Sequence, residues 1–133
     1  MPTEFLTVTP NLVVSDIGRS TAFYRDVLGL PVHMTVPDAP PFVFVWLMQG
    51  DVRIFLNDQA TVGELDPHMA ARPLGGSFTI YMRVVGVDAL WERVSGRAKV
   101  ADPISTKPYG MREFAIEDPD GYLITVAEEM RQG

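Results

Sequence analysis

Residues 11–30, NLVVSDIGRSTAFYRDVLGL, join a short apolar strand to an amphipathic helix. The strand is predicted over 6–14, and Ser15 or Asp16 is positioned to cap the helix that follows. Gly29 predicts the end of that helix, because glycine is common just past a helix C-terminus. The apolar positions that fit a helical stripe with a period of about 3.6 residues are Ile17, Phe23, Tyr24, Val27 and Leu28.

The same order of elements occurs again in the second half of the chain. In the first half, three further strands are predicted near 31–36, 42–48 and 52–57. In the second half, the pattern predicts a strand at 77–85, a helix from Asp88 to Gly96, strands at 98–102, 111–117 and 122–127, and a hairpin turn at 117–121. An internal repeat of about 70 residues follows from this pattern.

The repeat predicts one α+β domain over residues 1–133. Module one would span about 5–57 and module two about 77–129, joined by a linker loop at about 58–76. A connection of that length is typical of a lid, an interface arm or a flexible linker, and the sequence leaves these three roles open.

The strand predicted at 42–48 is apolar on both faces, because side chains of a strand alternate between its two sides. One side carries Val43, Val45 and Leu47, which suit an aliphatic core. The other carries Phe42, Phe44, Trp46 and Met48. This aromatic set faces away from the aliphatic core, so another surface or a ligand must cover it.

Composition excludes several classes of function. The chain has no cysteine, so disulfides, thiolate catalysis and cysteine–metal sites are ruled out. Eleven Lys and Arg against 17 Asp and Glu give a net charge of −6, which disfavours nucleic-acid backbones and anionic membranes as partners.

The longest apolar run is too short to span a bilayer, and Glu4 with no basic segment before an apolar stretch argues against a signal peptide. We therefore expect a cytoplasmic protein.

Two segments resemble the vicinal-oxygen-chelate superfamily, which includes glyoxalase I, extradiol dioxygenases, fosfomycin-resistance enzymes and bleomycin-resistance proteins. They are residues 11–30, with the Asp turn, the "FY" helix and the Leu-Gly end, and residues 107–129, KPYGMREFAIEDPDGYLITVAEE. The resemblance implies two βαβββ modules that form concave mixed sheets. It is specific for the fold and says little about activity, because unrelated functions share folds.

Enzymes of this superfamily hold a divalent metal with four side chains, two from each module. Placed by their spacing from the motifs, those positions are Thr9, Phe55, Thr79 and Thr125. None is the imidazole or carboxylate that such metals require. We therefore expect no metal and no other cofactor, and without the metal no Lewis-acid chemistry.

The same positions imply which face of each strand lines the concave side. Phe55 would share its face with Arg53 and Asn57, and Thr79 with Tyr81 and Arg83. The aromatic side of 42–48 would then line a ligand cleft. Flat aromatic walls suit planar or extended apolar ligands. An ordinary core or a dimer surface is the simpler interpretation of such a row, and the resemblance favours the cleft.

The bleomycin-resistance proteins are the most similar branch, and they sequester a drug in clefts across a homodimer. The resemblance thus predicts a metal-free homodimer that binds an aromatic small molecule and has no catalytic residue. Tyr109 resembles the aromatic residue that the branch places beside the drug. The predicted ligand-binding residues are Phe42, Phe44, Trp46, Arg53, Phe55, Asn57, Tyr81, Arg83, Tyr109 and Met111.

Two alternatives remain. The first is a metal-independent enzyme that uses the same cleft, with His68, Tyr81 or Tyr109 as the proton carrier. The second is a dimeric scaffold whose aromatic face is buried without a ligand. Two further pairs are given structural roles: Asp118 and Asp120 as turn formers, and Arg112 and Glu113 as a possible cross-strand ion pair.

Overall fold

A computed structural model describes residues 2–130 of the chain, so residues 1 and 131–133 of the predicted domain lie outside the described part. The first half contains β1 (Asn11–Val14), α1 (Ile17–Ala22), a π-helical turn (Phe23–Val27), β2 (Val32–Val36), β3 (Phe44–Gln49) and β4 (Val52–Asp58). Two helices follow, α2 (Gln59–Leu65) and α3 (Pro67–Ala70). The second half contains β5 (Thr79–Arg83), α4 (Val87–Val94), β6 (Lys99–Thr106), β7 (Met111–Glu117) and β8 (Leu123–Glu129).

Two four-stranded mixed sheets have the same topology. The strand order is β1-β4-β3-β2 in sheet one and β5-β8-β7-β6 in sheet two. In each sheet the first strand pairs in parallel with the last one of its module, while the other neighbours are antiparallel. A parallel pair needs a crossover connection, and α1 and α4 belong to those crossovers. The predicted α+β fold of two repeated modules is confirmed.

The helix of module one begins and ends where the motif predicts. The Asp16 side chain accepts a hydrogen bond from the Arg19 amide at 3.0 Å, which satisfies one of the free donors at the helix start. After Ala22 the helix widens into the π-helical turn, which the apolar stripe did not predict. Gly29 then adopts a φ of 88°, a left-handed conformation that favours glycine.

The aliphatic faces of both sheets join in a single hydrophobic core. Val45, Leu47 and Leu56 are fully buried in sheet one, and α1 and α4 pack against the same cluster. The core residues of sheet two are Ile80, Met82, Phe114, Ile116, Ile124 and Val126. Because burial of one such side chain contributes about 1.5–3 kcal/mol, this cluster holds the two modules together.

A buried hydrogen bond ties the helix of module one to the β7–β8 turn of module two. The Tyr24 hydroxyl donates to Asp118 Oδ2 at 2.7 Å, and Asp118 Oδ1 accepts from the amides of Asp120 and Tyr122 at 2.9 Å each. Burial raises the pKa of Asp118 despite these hydrogen bonds. Asp118 is therefore both a turn former, as the sequence predicts, and a contact between the modules.

Several predicted boundaries differ from the structure. Residues 6–10 are not in a strand: β1 begins at Asn11, and the preceding Phe5, Leu6 and Val8 are 81–95% exposed. The linker is not a structureless loop, since Asp58 and Asp66 cap α2 and α3. In the second half, α4 begins at Val87, with Gly86 at its N-cap, and β6 extends to Thr106.

Replacing Tyr24 by Phe should destabilise the fold. The substitution keeps the buried ring and removes the hydroxyl that Asp118 accepts, leaving a buried carboxylate oxygen without its donor. We expect a loss of about 1–3 kcal/mol in the free energy of unfolding, measured by urea denaturation. Thr35→Val is the matched control: it removes a hydroxyl whose hydrogen bond to the Pro37 carbonyl lies at an exposed site, where water can replace it. Equal losses in the two variants would contradict the assigned role of Tyr24.

Candidate functional site

Four ring side chains form a continuous cluster on the inner face of sheet one, which we call the aromatic face: His33, Phe44, Trp46 and Phe55. Trp46 and Phe55 lie opposite each other on β3 and β4, with ring centroids 5.3 Å apart. Phe44 packs on Phe55 at 5.2 Å, and His33 packs on Trp46 at 4.4 Å. All three contacts are edge-on, the arrangement that aromatic quadrupoles favour.

Polar side chains lie beside the aromatic face. Arg53 is paired in register with Met48, and Asn57 with Phe44. The Asn57 side-chain amide donates to Asn11 Oδ1 at 2.7 Å and to the Leu12 carbonyl at 3.0 Å, so its position is fixed. Arg53 Nε and Trp46 Nε1 are buried and have no hydrogen-bond partner among residues 2–130. Two unpaired donors therefore lie on the same face as the four rings.

The structure places most of the predicted sheet-one residues on this face, and it places Phe42 elsewhere. Phe42 precedes β3, packs against the hydrophobic core and lines a recess of about 770 Å³ together with Asp16 and Thr21. Strand alternation starts only at Phe44, because the segment from 37 to 43 turns between β2 and β3 and contains three prolines. Its predicted place in the aromatic row is therefore wrong.

On the inner face of sheet two, two tyrosines converge on one carboxylate, an arrangement we call the tyrosine–carboxylate cluster: Tyr81, Tyr109 and Glu113. Glu113 lies on β7, opposite Ala127 of β8, and only 7% of it is exposed. The Tyr81 hydroxyl donates to Glu113 Oε2 at 3.0 Å. The Tyr109 hydroxyl donates to the other oxygen, Oε1. Both carboxylate oxygens are thus satisfied by phenols.

Both phenols of the cluster stay protonated at neutral pH. Donation to Glu113 is the main cause that raises the pKa of Tyr109 to about 12. Burial, and then the hydrogen bond to Glu113, raise the pKa of Tyr81 as well. Since a phenolate is disfavoured at both positions, the two hydroxyls can serve as hydrogen-bond donors at neutral pH but are poor general bases.

Sequence reasoning missed the role of Glu113. It paired Glu113 with Arg112 as a possible ion pair, but neighbouring residues of a strand point to opposite faces. Arg112 lies on the helix side, where its Nε donates to Asp88 at 3.0 Å. The sequence contained a signal for the orientation of Glu113. Phe114 belongs to the core, so its neighbours Glu113 and Ala115 must face the concave side of the sheet.

The other predicted residues of sheet two occupy the same inner face. Arg83 lies two residues after Tyr81 on β5 and forms an ion pair with Glu129 at 3.0 Å. Met111 begins β7 and is half-buried. His68, by contrast, lies in α3 and lines a separate recess of about 430 Å³ with Asn11 and Tyr122.

The residues at the four positions where the resemblance implies metal ligands do not fit a metal ion. Thr9 precedes β1, Phe55 is on β4, and Thr79 and Thr125 are on the neighbouring strands β5 and β8. Three hydroxyls and a phenyl ring offer none of the imidazole or carboxylate donors that divalent ions select. Among residues 2–130, no three His, Cys, Asp or Glu side chains are grouped so that they could hold a metal ion.

Comparison with known families identifies the fold. The profile of the glyoxalase/bleomycin resistance protein/dioxygenase superfamily matches residues 6–126. The chain belongs to this superfamily. Among curated proteins, none matches the sequence.

Solved structures of the superfamily fold include proteins with different described functions. TnmS3, an antibiotic-binding protein from Streptomyces sp. CB03234, is 23% identical, with 97% of this chain and 99% of that one covered at a TM-score of 0.72. TioX from Micromonospora sp. ML1 is 18% identical, with 95% and 100% covered at 0.76. A lactoylglutathione lyase from Agrobacterium tumefaciens is 25% identical, with 96% and 95% covered at 0.66.

None of the helices within residues 2–130 has the length and apolar character needed to cross a membrane.

Replacing Glu113 by Gln should lower the pKa of Tyr109 from about 12 toward the ordinary tyrosine value of about 10. The amide is a weaker acceptor and carries no charge, so the tyrosinate form becomes less costly. At about pH 10.5, tyrosinate absorbance should therefore be higher in the variant than in the parent. Circular dichroism at the same pH verifies that both remain folded. Glu92→Gln, which removes an exposed charge on α4, is the control, and an equal rise in it would contradict the assignment.

Proposed function

We propose that this protein is a cytoplasmic homodimer that binds a planar aromatic small molecule, such as an antibiotic, on its aromatic face and holds it without chemical conversion. The observation that carries the proposal is the cluster of His33, Phe44, Trp46 and Phe55 on the inner face of sheet one. The antibiotic-binding relative of the same fold, TnmS3, supports it.

The physical basis is stacking combined with removal of apolar area from water. Phe44, Trp46 and Phe55 are half-buried and His33 is exposed, so part of the ring surface remains for a ligand. Each aromatic pair with a bound ring contributes about 0.5–1.5 kcal/mol beyond burial itself. Arg53, on the same face of β4 as Phe55, supplies a positive charge for a polar group at the edge of such a ligand.

The chemistry of the metal positions supports binding without turnover. The lactoylglutathione lyase shows that enzymes occur in this fold. In this chain the positions where the resemblance implies metal ligands carry Thr9, Phe55, Thr79 and Thr125, which cannot polarise a substrate through a divalent ion. The raised pKa values of Tyr81 and Tyr109 also make both residues poor proton acceptors.

Exposed apolar side chains support a homodimer. Phe5 and Val8 of the N-terminal segment are each 95% exposed, and Leu6 is 81% exposed. Met34 and Val36 are also exposed, on the edge strand β2. Surface of this kind is typical of an interface. In a dimer, the inner face of one protomer could be covered by its partner, which would complete a cleft.

Fluorescence of Trp46 tests the binding site. Trp91→Phe leaves Trp46 as the sole tryptophan, and bleomycin, through its planar bithiazole, and an anthraquinone serve as probes. We expect saturable quenching with one probe bound per protomer, and Phe55→Leu in that background should weaken binding by about tenfold, because it removes a flat ring and keeps apolar volume. Phe78→Ala is the control, since Phe78 is a half-exposed ring next to Tyr122 and outside the aromatic face. Absence of binding by both probes, or equal losses in the two variants, would overturn the site.

Recovery of the probe tests whether it is converted. After incubation with excess chelator, and separately with added zinc, nickel or manganese, mass spectrometry should return the probe unchanged. A product formed under chelation would favour a metal-independent enzyme, and one formed only with metal would overturn the interpretation of the four positions. Native mass spectrometry of the same samples should give two protomers per particle; a monomer would contradict the dimer.

A further inference from the structure

We propose that the tyrosine–carboxylate cluster of sheet two binds an alkylammonium cation, the protonated amine or quaternary ammonium group of a ligand. Its residues, Tyr81, Tyr109 and Glu113, come from one chain and from three separate segments: β5, the turn before β7, and β7 itself. The inference deepens the proposed function, because it adds a charged group to the ligand bound by the same concave fold.

Charge is the first argument. Glu113 is 7% exposed, and within residues 2–130 its carboxylate forms no salt bridge. Two cationic side chains of module two are already engaged, Arg83 with Glu129 at 3.0 Å and Lys107 with Asp102 at 2.8 Å. A shielded negative charge without a counter-ion attracts a cation more strongly than an exposed one, since water screens it less.

The two rings are the second argument. Tyr81 is 52% exposed and Tyr109 is 65% exposed, while both hydroxyls are anchored on the same carboxylate. The rings are therefore held near each other with surface still free. Aromatic faces next to a carboxylate are the surroundings that quaternary ammonium groups prefer, because the ring quadrupole and the negative charge attract the cation together.

The third argument concerns selectivity and rigidity. One carboxylate, with each oxygen already accepting a phenol hydrogen bond, does not provide the six or more oxygen ligands that a calcium-type ion requires. A large, weakly hydrated organic cation needs no direct oxygen ligand. The turn that carries Tyr109 is closed by backbone hydrogen bonds from Lys107 to Met111 at 2.7 Å and from Gly110 to Lys107 at 3.0 Å. The cluster is therefore formed before any ligand arrives.

Amide NMR spectra of the full chain, titrated with choline and with dimethylbutanol, test the proposal. In dimethylbutanol a carbon replaces the nitrogen, so shape is kept and charge is lost. We expect choline to bind saturably at millimolar concentration, with shifts centred on Tyr81, Tyr109 and Glu113, and dimethylbutanol to bind at least about tenfold more weakly. Glu113→Gln should weaken choline binding by a similar factor, and Tyr109→Leu, which leaves the carboxylate in place, should weaken it as well.

Glu92→Gln removes one negative charge from exposed α4 and should bind choline as the parent does. Equal binding of choline and dimethylbutanol, or equal losses in Glu92→Gln and Glu113→Gln, would overturn the cation site. The outcome is separable from that of the proposed function, because choline does not report on the aromatic face. If choline binds but the planar probes do not bind at Trp46, the proposed function alone is wrong. If the planar probes bind but choline does not, this inference alone is wrong.

Discussion

Strand alternation is the constraint on which this molecule depends. Each strand of the two sheets must give one face to the helices, since the shared core buries the apolar side chains that hold the two small modules together. In β3, Val45 and Leu47 are fully buried, whereas Phe44 and Trp46 on the other face are half-buried. The sheet faces that do not pack in the core can therefore carry ligand-binding side chains, and both candidate sites lie on these faces.

The two modules share one topology but differ in the chemistry of their inner faces. Both modules have the same strand order, yet the inner face of sheet one carries rings and the inner face of sheet two carries a buried carboxylate with two phenols. A face that is not needed for folding can change without loss of stability. The two proposals together describe binding of a flat apolar group on sheet one and of a cationic group on sheet two.

The relation between the two inner faces is fixed by the contacts at the module joint. Tyr24 donates to Asp118 across the joint, and the Tyr122 hydroxyl donates to the Val13 carbonyl at 2.8 Å. Arg93 of α4 reaches the end of the module-one helix, where it donates to the Leu28 carbonyl at 2.6 Å. These contacts lie on the helix side of the sheets, so they orient the modules without occupying either candidate site.

The sequence by itself determined the local elements and the family. The strand at 111–117, the helix end at Gly29 and the aliphatic rows of both modules follow from periodicity and from turn residues, which act between near neighbours in the chain. Only the tertiary structure decided which inner-face groups meet. Tyr81 and Glu113, which form a hydrogen bond, are 32 residues apart in the chain. Phe42 is not part of the aromatic row of β3, because strand alternation begins only after the proline-rich turn. Register between distant strands is set by the whole sheet, and no single segment encodes it.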